Sequence, residues 1–183
     1  VAAELRPDTV LVSVMHVNNE TGIIQPITEI AMLLAGHDAY FHVDAAQGYG
    51  KDLLPLKDKR IDLISISAHK ICGPKGIGAL IARKRDYNRP PLEPLMFGGG
   101  QERGLRPGTA PVHLIAAFGL AAELCVVEHA ERKKQCKDFR DVLVAGLEPL
   151  KPRMNGSQSR ASDHIINLAF PGLDSEAVML ATK

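Results

Sequence analysis

Residues 61–82, IDLISISAHKICGPKGIGALIA, join two apolar runs through a polar, glycine-rich turn. Ile61 to Ile66 has the length and β-branched content of a buried strand, and Ile77 to Ala82 reads as another. Between them stand Ser67, His69 and Lys70, followed by GPKG, whose glycines and proline punctuate the chain. Polar and charged residues directly after an apolar strand mark the carboxyl edge of a sheet, where α/β folds bind their ligands.

On the N-terminal side, Thr9–Val17 and Tyr40–Val43 read as buried strands, the second ending at Asp44. Pro26–Gly36 reads as a helix with proline in its first turn and glycine as its stop. Strands alternating with a helix predict an α/β sheet with parallel members. On the C-terminal side, residues 88–109 read as a loop region rich in Gly, Pro and Arg. Ala110 to about Leu147 has the spacing of one long helix, charged after Glu128. Residues 149–162 are turn-rich, residues 164–170 (HIINLAF) suit a strand, and Asp174 suits the N-cap of a last helix.

Composition narrows the class. Of 183 residues 45% are hydrophobic, enough for a globular core, while aromatics are 4% and Trp is absent, so that core is aliphatic. The net charge of +1 predicts no nucleic-acid surface. The longest apolar run, Ile30 to Gly36, is too short to span a membrane. Three cysteines, at 72, 125 and 136, lack zinc-ligand spacing and favour a reducing, cytoplasmic compartment. The chain begins at Val1 and stops within a helical pattern, which reads as an internal segment of a longer protein.

Four clusters can carry chemistry. In HVDAAQ (42–47), Asp44 follows an apolar strand, where a lone carboxylate is costly and needs a cationic partner. A protonated pyridine nitrogen is one, as in pyridoxal phosphate (PLP) sites, with Gln47 placed to donate to the phenolic oxygen. A helix-capping Asp is the plain alternative, of equal weight. In SISAHK (65–70), Lys70 is expected in an apolar setting that disfavours the ammonium form and frees the amine to form an imine. Ser67 and His69 can hold a phosphate there. A surface lysine after a strand is the alternative, and the flanking SxS and GPKGIGAL weigh against it. In GGGQERGLRPGT (98–109), glycines, two arginines and Thr109 suit an anion, or equally a linker. In HVNNETG (16–22), Asn18 and Asn19 either make a turn or meet a ring or a carboxylate.

In this order and spacing, NNETG, HVDAAQ, SxSxHKxxGPKGIGAL and GGGQERGxRxGT resemble the NifS/IscS-type cysteine desulfurases of the class V aminotransferases, over nearly the whole chain. The resemblance implies an aspartate-aminotransferase-like fold, PLP fold type I, with a mixed, mostly parallel sheet. Residues 1–110 would be part of the large cofactor-binding domain, 111–148 a long connecting helix, and 149–183 the start of a small C-terminal α+β domain. It implies a PLP enzyme that takes sulfur from L-cysteine, leaves L-alanine, and passes the sulfur through a cysteine persulfide to an acceptor such as an Fe–S scaffold.

Residue by residue, the resemblance makes Lys70 the Schiff-base lysine and Asp44 the partner of the pyridine nitrogen. Asn19 and Gln47 would contact the cofactor oxygen, and Ser67 and His69 the phosphate. Thr109 would reach the phosphate of the partner subunit of a homodimer. Ala68 and Pro107 depart slightly from the family pattern. The ring-stacking His and a phosphate Thr are expected before Val1, and the persulfide Cys and carboxylate-binding Arg after Lys183. The segment alone is therefore expected not to desulfurate cysteine. The near rivals within PLP enzymes are selenocysteine lyase and the desulfurases that make phosphorothioate DNA or feed other sulfur pathways. A non-catalytic fragment serving dimerisation or acceptor docking is the rival of another class.

Overall fold

A computed structural model describes residues 1–181. They form two compact units: Val1–His16 with Pro26–His129, and Val17–Gln25 with Ala130 onward.

The first unit is built on a four-stranded sheet in the order β1 (Leu11–Met15), β2 (Tyr40–Asp44), β3 (Leu63–Ser67), β4 (Gly78–Ala82). The first three strands run parallel, and β4 returns antiparallel to β3. This is the mixed, mostly parallel sheet expected.

Alternation along each strand separates two faces. On one, Val12 and Val14 of β1, Phe41 and Val43 of β2, and Ile64 and Ile66 of β3 meet α1 (Ile27–Leu33) through Ile27, Ile30 and Ala31, with Leu34 just beyond. Phe41, Val43 and Leu34 are fully buried, and each such side chain contributes about 1.5–3 kcal/mol. On the other face stand Ser13, His42, Asp44, Ser65 and Ser67. Helix α2 (Val112–Val127) sets Phe118, Ala121 and Cys125 against Ala68 and Ile71, just after β3.

A charged knot closes the amino edge of the sheet. Buried Asp62 accepts Arg60 Nη1 at 2.9 Å, Arg85 Nη2 at 2.5 Å and the Phe41 amide at 2.7 Å. Arg60 also donates to the carbonyls of Leu34, His37 and Ala39, fastening the connection from α1 to β2. With Arg85 Nε also donating to its Oδ1 at 3.0 Å, four N–H donors from two guanidiniums and one amide satisfy a charge that burial would otherwise penalise.

In the second unit, residues 17–24 form a hairpin closed by the Val17–Ile24 bridge and joined to Ala161 through Ile23. Helix α3 (His129–Leu147) and the short antiparallel pair β5 (Arg153–Met154) and β6 (Leu168–Ala169) follow. Asp174 Oδ1 accepts the amides of Glu176 and Ala177 at 3.0 and 3.1 Å, capping α4 (Ser175–Ala181) as expected.

Three expectations change at the level of elements. The strand expected over 9–17 stops at Met15, because Val17 already pairs within the second unit. The single helix expected over 110–147 is two, interrupted at Glu128 with φ −93° and ψ 6°. No proline or glycine stands at that break; apolar α2 packs in the first unit while charged α3 belongs to the second. The strand expected over 164–170 shrinks to two residues. Asn167 instead bonds Asn155 through backbone and side chain, and the Glu20 carbonyl through its amide. No single helix among the described residues is long and apolar enough to cross a membrane.

Removing the shared acceptor leaves two guanidiniums facing each other at the sheet edge. Asp62→Ala should therefore cost about 3–5 kcal/mol, the range for breaking a buried ion pair. Denaturant unfolding of the intact protein measures this, and a loss below about 1 kcal/mol would mean the knot is not a structural anchor.

Candidate functional site

The carboxyl ends of β2 and β3 lie side by side, with Asp44 paired in register to Ser65. Asp44 Oδ1 accepts the Ser65 hydroxyl at 3.2 Å and the Ala46 amide at 3.0 Å, and the side chain is exposed. The bond to Ala46 is the capping role weighed above, so Asp44 shapes the next turn while still presenting a carboxylate. Ser67 lies on the same face as Ser65, about 7 Å further along the strand by β geometry. Gln47 is half-buried in the turn after Asp44.

That turn is held from below. Buried His16 lies against the backbone of Gly48, where a Cβ would fall 2.0 Å from Nδ1, and its Nε2 meets Asp52 Oδ2 at 3.0 Å. No side chain larger than hydrogen fits at residue 48 without displacing the imidazole.

Beyond β3 the chain makes a 3-10 turn, Ala68–Ile71, that carries His69 and Lys70. Ser67 Oγ lies 3.0 Å from His69 Nδ1. The Lys70 carbonyl accepts Lys51 Nζ at 2.8 Å, tying the turn after β2 to the turn after β3. Cys72 follows with φ +64°, and the loop closes through Gly73 N–H to the Ala68 carbonyl at 2.9 Å and Ala68 N–H to the Ile77 carbonyl at 3.1 Å. Behind the turn, the buried Cys125 Sγ sits 3.9 Å from the Ile71 carbonyl. Lys70 itself is exposed. Its expected apolar setting is thus corrected: β3 ends before Lys70, so the strand's burial does not extend to it.

Residues 98–109 fold as a loop, with Glu102 and Arg103 at φ +49° and +60° and the Gly108 amide bound to Gln101 Oε1 at 3.1 Å. Arg106 and Gly108 line an open, largely apolar cleft of about 640 Å³ with Leu80, Leu105, Ile115 and Phe118. Thr109 is exposed at the loop's end. In the second unit, Asn18 Oδ1 accepts the Glu20 and Thr21 amides at 3.0 and 2.8 Å, which is the turn reading of that residue. Asn19 is exposed in the same hairpin and donates to Glu20 Oε1 at 2.7 Å.

The sequence profile of aminotransferase class V matches residues 1–183, the whole chain. The chain belongs to this family. Its relatives are IscS- and NifS-like. It is 47% identical over 180 residues to the mitochondrial cysteine desulfurase of Saccharomyces cerevisiae, covering 98% of this chain and 36% of that protein. It is 43% identical over 182 residues to the cysteine desulfurase IscS of Actinobacillus succinogenes, covering 99% of this chain and 45% of that one. The crystal structure of DndA from Streptomyces lividans superposes with a TM-score of 0.92 at 52% identity, over 98% of this chain and 51% of that one. The fold is therefore that of the NifS-like, PLP fold type I enzymes, and the chain spans less than half the length of these two curated relatives.

Within this class V aminotransferase chain, the first unit places Asp44 and Ser67 at the carboxyl ends of adjacent β2 and β3, and Gln47, His69 and Lys70 in the turns that follow those strands. Asn19 belongs to the other unit, and Thr109 ends a separate loop. His42, Ser65 and Ser13 join the site's polar face without having stood out in the sequence. His42 Nδ1 lies 2.8 Å from Ser13 Oγ, and its Nε2 lies 3.2 Å from Ser65 Oγ. The signal was present as a period of two: His42 precedes Asp44, and Ser65 precedes Ser67, by two residues on one strand face.

Burial pushes the His42 pKa below the usual 6.5, against the opposing pull of Asp44. The native state then binds fewer protons than the unfolded state below pH 6.5, so this contribution to stability is present above the unfolded pKa and is lost as pH falls through the folded one. His42→Gln should flatten the decline in stability as pH falls through and below the usual histidine value of 6.5. An unchanged pH slope in denaturant melts of the variant would show that His42 does not titrate in this way.

Proposed function

We propose that this chain carries the cofactor-anchoring part of a PLP-dependent cysteine desulfurase. Such an enzyme takes sulfur from L-cysteine, leaves L-alanine, and passes the sulfur through a cysteine persulfide to an acceptor protein such as an Fe–S scaffold. The observation that carries this reading is the placement of a carboxylate, a hydroxyl–imidazole pair and a lysine at the carboxyl ends of adjacent β2 and β3 and in the turn that follows β3, in a member of a PLP family.

The donor set fits the cofactor. Both internal bonds of Asp44 fall on Oδ1 of an exposed carboxylate, which suits a protonated ring nitrogen. Ser67 and His69, 3.0 Å apart, suit a phosphate. Lys70 supplies an exposed amine for an aldehyde. When bound, PLP supplies an electron sink for the carbanion formed at the substrate carbon.

The chain's own residues do the rest. Asp44 would hold the ring nitrogen, its charge and hydrogen bond favouring the protonated form. Gln47 donates to the phenolic oxygen. Ser67 and His69 would hold the phosphate. Lys51, bonded to the Lys70 carbonyl, holds the backbone from which the amine projects. Thr109 reaches the phosphate of the partner subunit in a homodimer. Three cysteines without zinc-ligand spacing suit a reducing, cytoplasmic setting.

Lys70→Ala in the intact enzyme should abolish both the yellow cofactor colour and alanine production from cysteine. Retained colour and turnover would refute the assignment. Asp44→Asn should lower kcat about ten- to a hundredfold, equivalent to about 1.5–3 kcal/mol for a charge-assisted hydrogen bond, with a smaller change in PLP affinity. Single-turnover kinetics beside a PLP titration separate the two, and wild-type turnover would leave Asp44 a turn cap only.

A further inference from the structure

We infer that Ser13, His42 and Ser65 form a one-way hydrogen-bond relay behind Asp44, with His42 as a positioning residue for the carboxylate. The relay rests on the proposed function only in giving Asp44 a cationic partner; the chain of bonds stands without it.

The relay crosses three strands in register. Ser13 on β1 pairs with His42 on β2, and Ser65 on β3 pairs with Asp44. The contacts are Ser13 Oγ to His42 Nδ1 at 2.8 Å, His42 Nε2 to Ser65 Oγ at 3.2 Å, and Ser65 Oγ to Asp44 Oδ1 at 3.2 Å.

Proton counting fixes its direction. An ionised Asp44 offers no hydrogen, so the single hydroxyl proton of Ser65 is donated to it. Ser65 Oγ must then accept from His42, which puts the imidazole proton on Nε2. A neutral imidazole has one N–H, so Nδ1 accepts the Ser13 hydroxyl. Every donor therefore points toward Asp44. Burial disfavours the imidazolium, consistent with this single tautomer.

The consequence is chemical as well as geometric. Each bond along the chain polarises the next, and the last holds one oxygen of Asp44 as an acceptor. This holds the carboxylate in one orientation and leaves its second oxygen for a cation. The bland alternative is that the three side chains merely stitch β1, β2 and β3 together, with no bearing on Asp44.

Two measurements on the intact protein decide between them. In the cofactor-free protein, isotope-edited NMR of the histidine rings should show His42 as the Nε2–H tautomer at neutral pH; the Nδ1–H tautomer overturns the relay. In the PLP-loaded protein with a labelled pyridine nitrogen, Ser65→Ala and His42→Phe should move that nitrogen's signal toward the unprotonated position. Both should lower kcat about tenfold, as for one weakened hydrogen bond to a charge. Ser65→Thr, which keeps the hydroxyl, should restore both. Asp44→Asn is the reference. If it leaves the nitrogen signal unchanged, the role of Asp44 in the proposed function fails. If it moves the signal while Ser65→Ala does not, the relay fails and the proposed function survives. Should His42→Phe not fold, the Ser65→Ala and Ser65→Thr pair and the wild-type tautomer still decide between relay and stitch.

Discussion

Asp62 is the constraint on which the first unit depends. It sits at the start of β3, yet its carboxylate holds the Phe41 amide of β2 and the side chains of Arg60 and Arg85, which flank β3 and follow β4. Its backbone continues the same lock, with Asp62 N–H to the Phe41 carbonyl at 2.9 Å and Arg83 N–H to the Asp62 carbonyl at 2.8 Å. Register matters here because a slip of one residue would turn every side chain to the opposite face. Ser65 would then enter the apolar layer against α1, and Ile64 and Ile66 would line the polar face. The ionic knot at the amino edge of the sheet thus protects the arrangement of polar groups at its carboxyl edge.

Both ends of the sheet follow one division of labour. The amino edge contains charges that are mutually satisfied and partly buried, with Arg60 13% exposed and Asp62 4% exposed at their side chains. The carboxyl edge carries Asp44, His69 and Lys70, all exposed. Charges that neutralise each other stiffen a fold, whereas charges left facing outward retain free energy for a ligand.

Much of this was legible in the sequence, for identifiable reasons. The apolar runs around Val12, Val43 and Ile64 read as strands because parallel strands under a helix are apolar over most of their length. Asp44 stood out because it ends such a run, and Lys70 because it follows one within a few residues. Other features depended on contacts distant in sequence. Residues 17–25 leave the first unit to pair with residues near 161, and nothing between Val17 and Gln25 announces that. The break at Glu128 lacks a proline or a glycine, so only the separate packing of α2 and α3 reveals it. The exposure of Lys70 also escaped, because a strand's apolar pattern says nothing about the burial of the turn that follows it. The period of two put His42 on the face of Asp44, but its partners Ser13 and Ser65 emerged only from the strand register.

The bond from Lys51 to the Lys70 carbonyl has a mechanical meaning. Lysine has a long four-carbon stem that is free at every joint, and such a stem on a wandering backbone would sweep a wide volume. Here the root is clamped while the tip is loose, as with a crane on a fixed pedestal. In the role proposed for Lys70, a group captured by that amine would be released and recaptured from a root that stays in place.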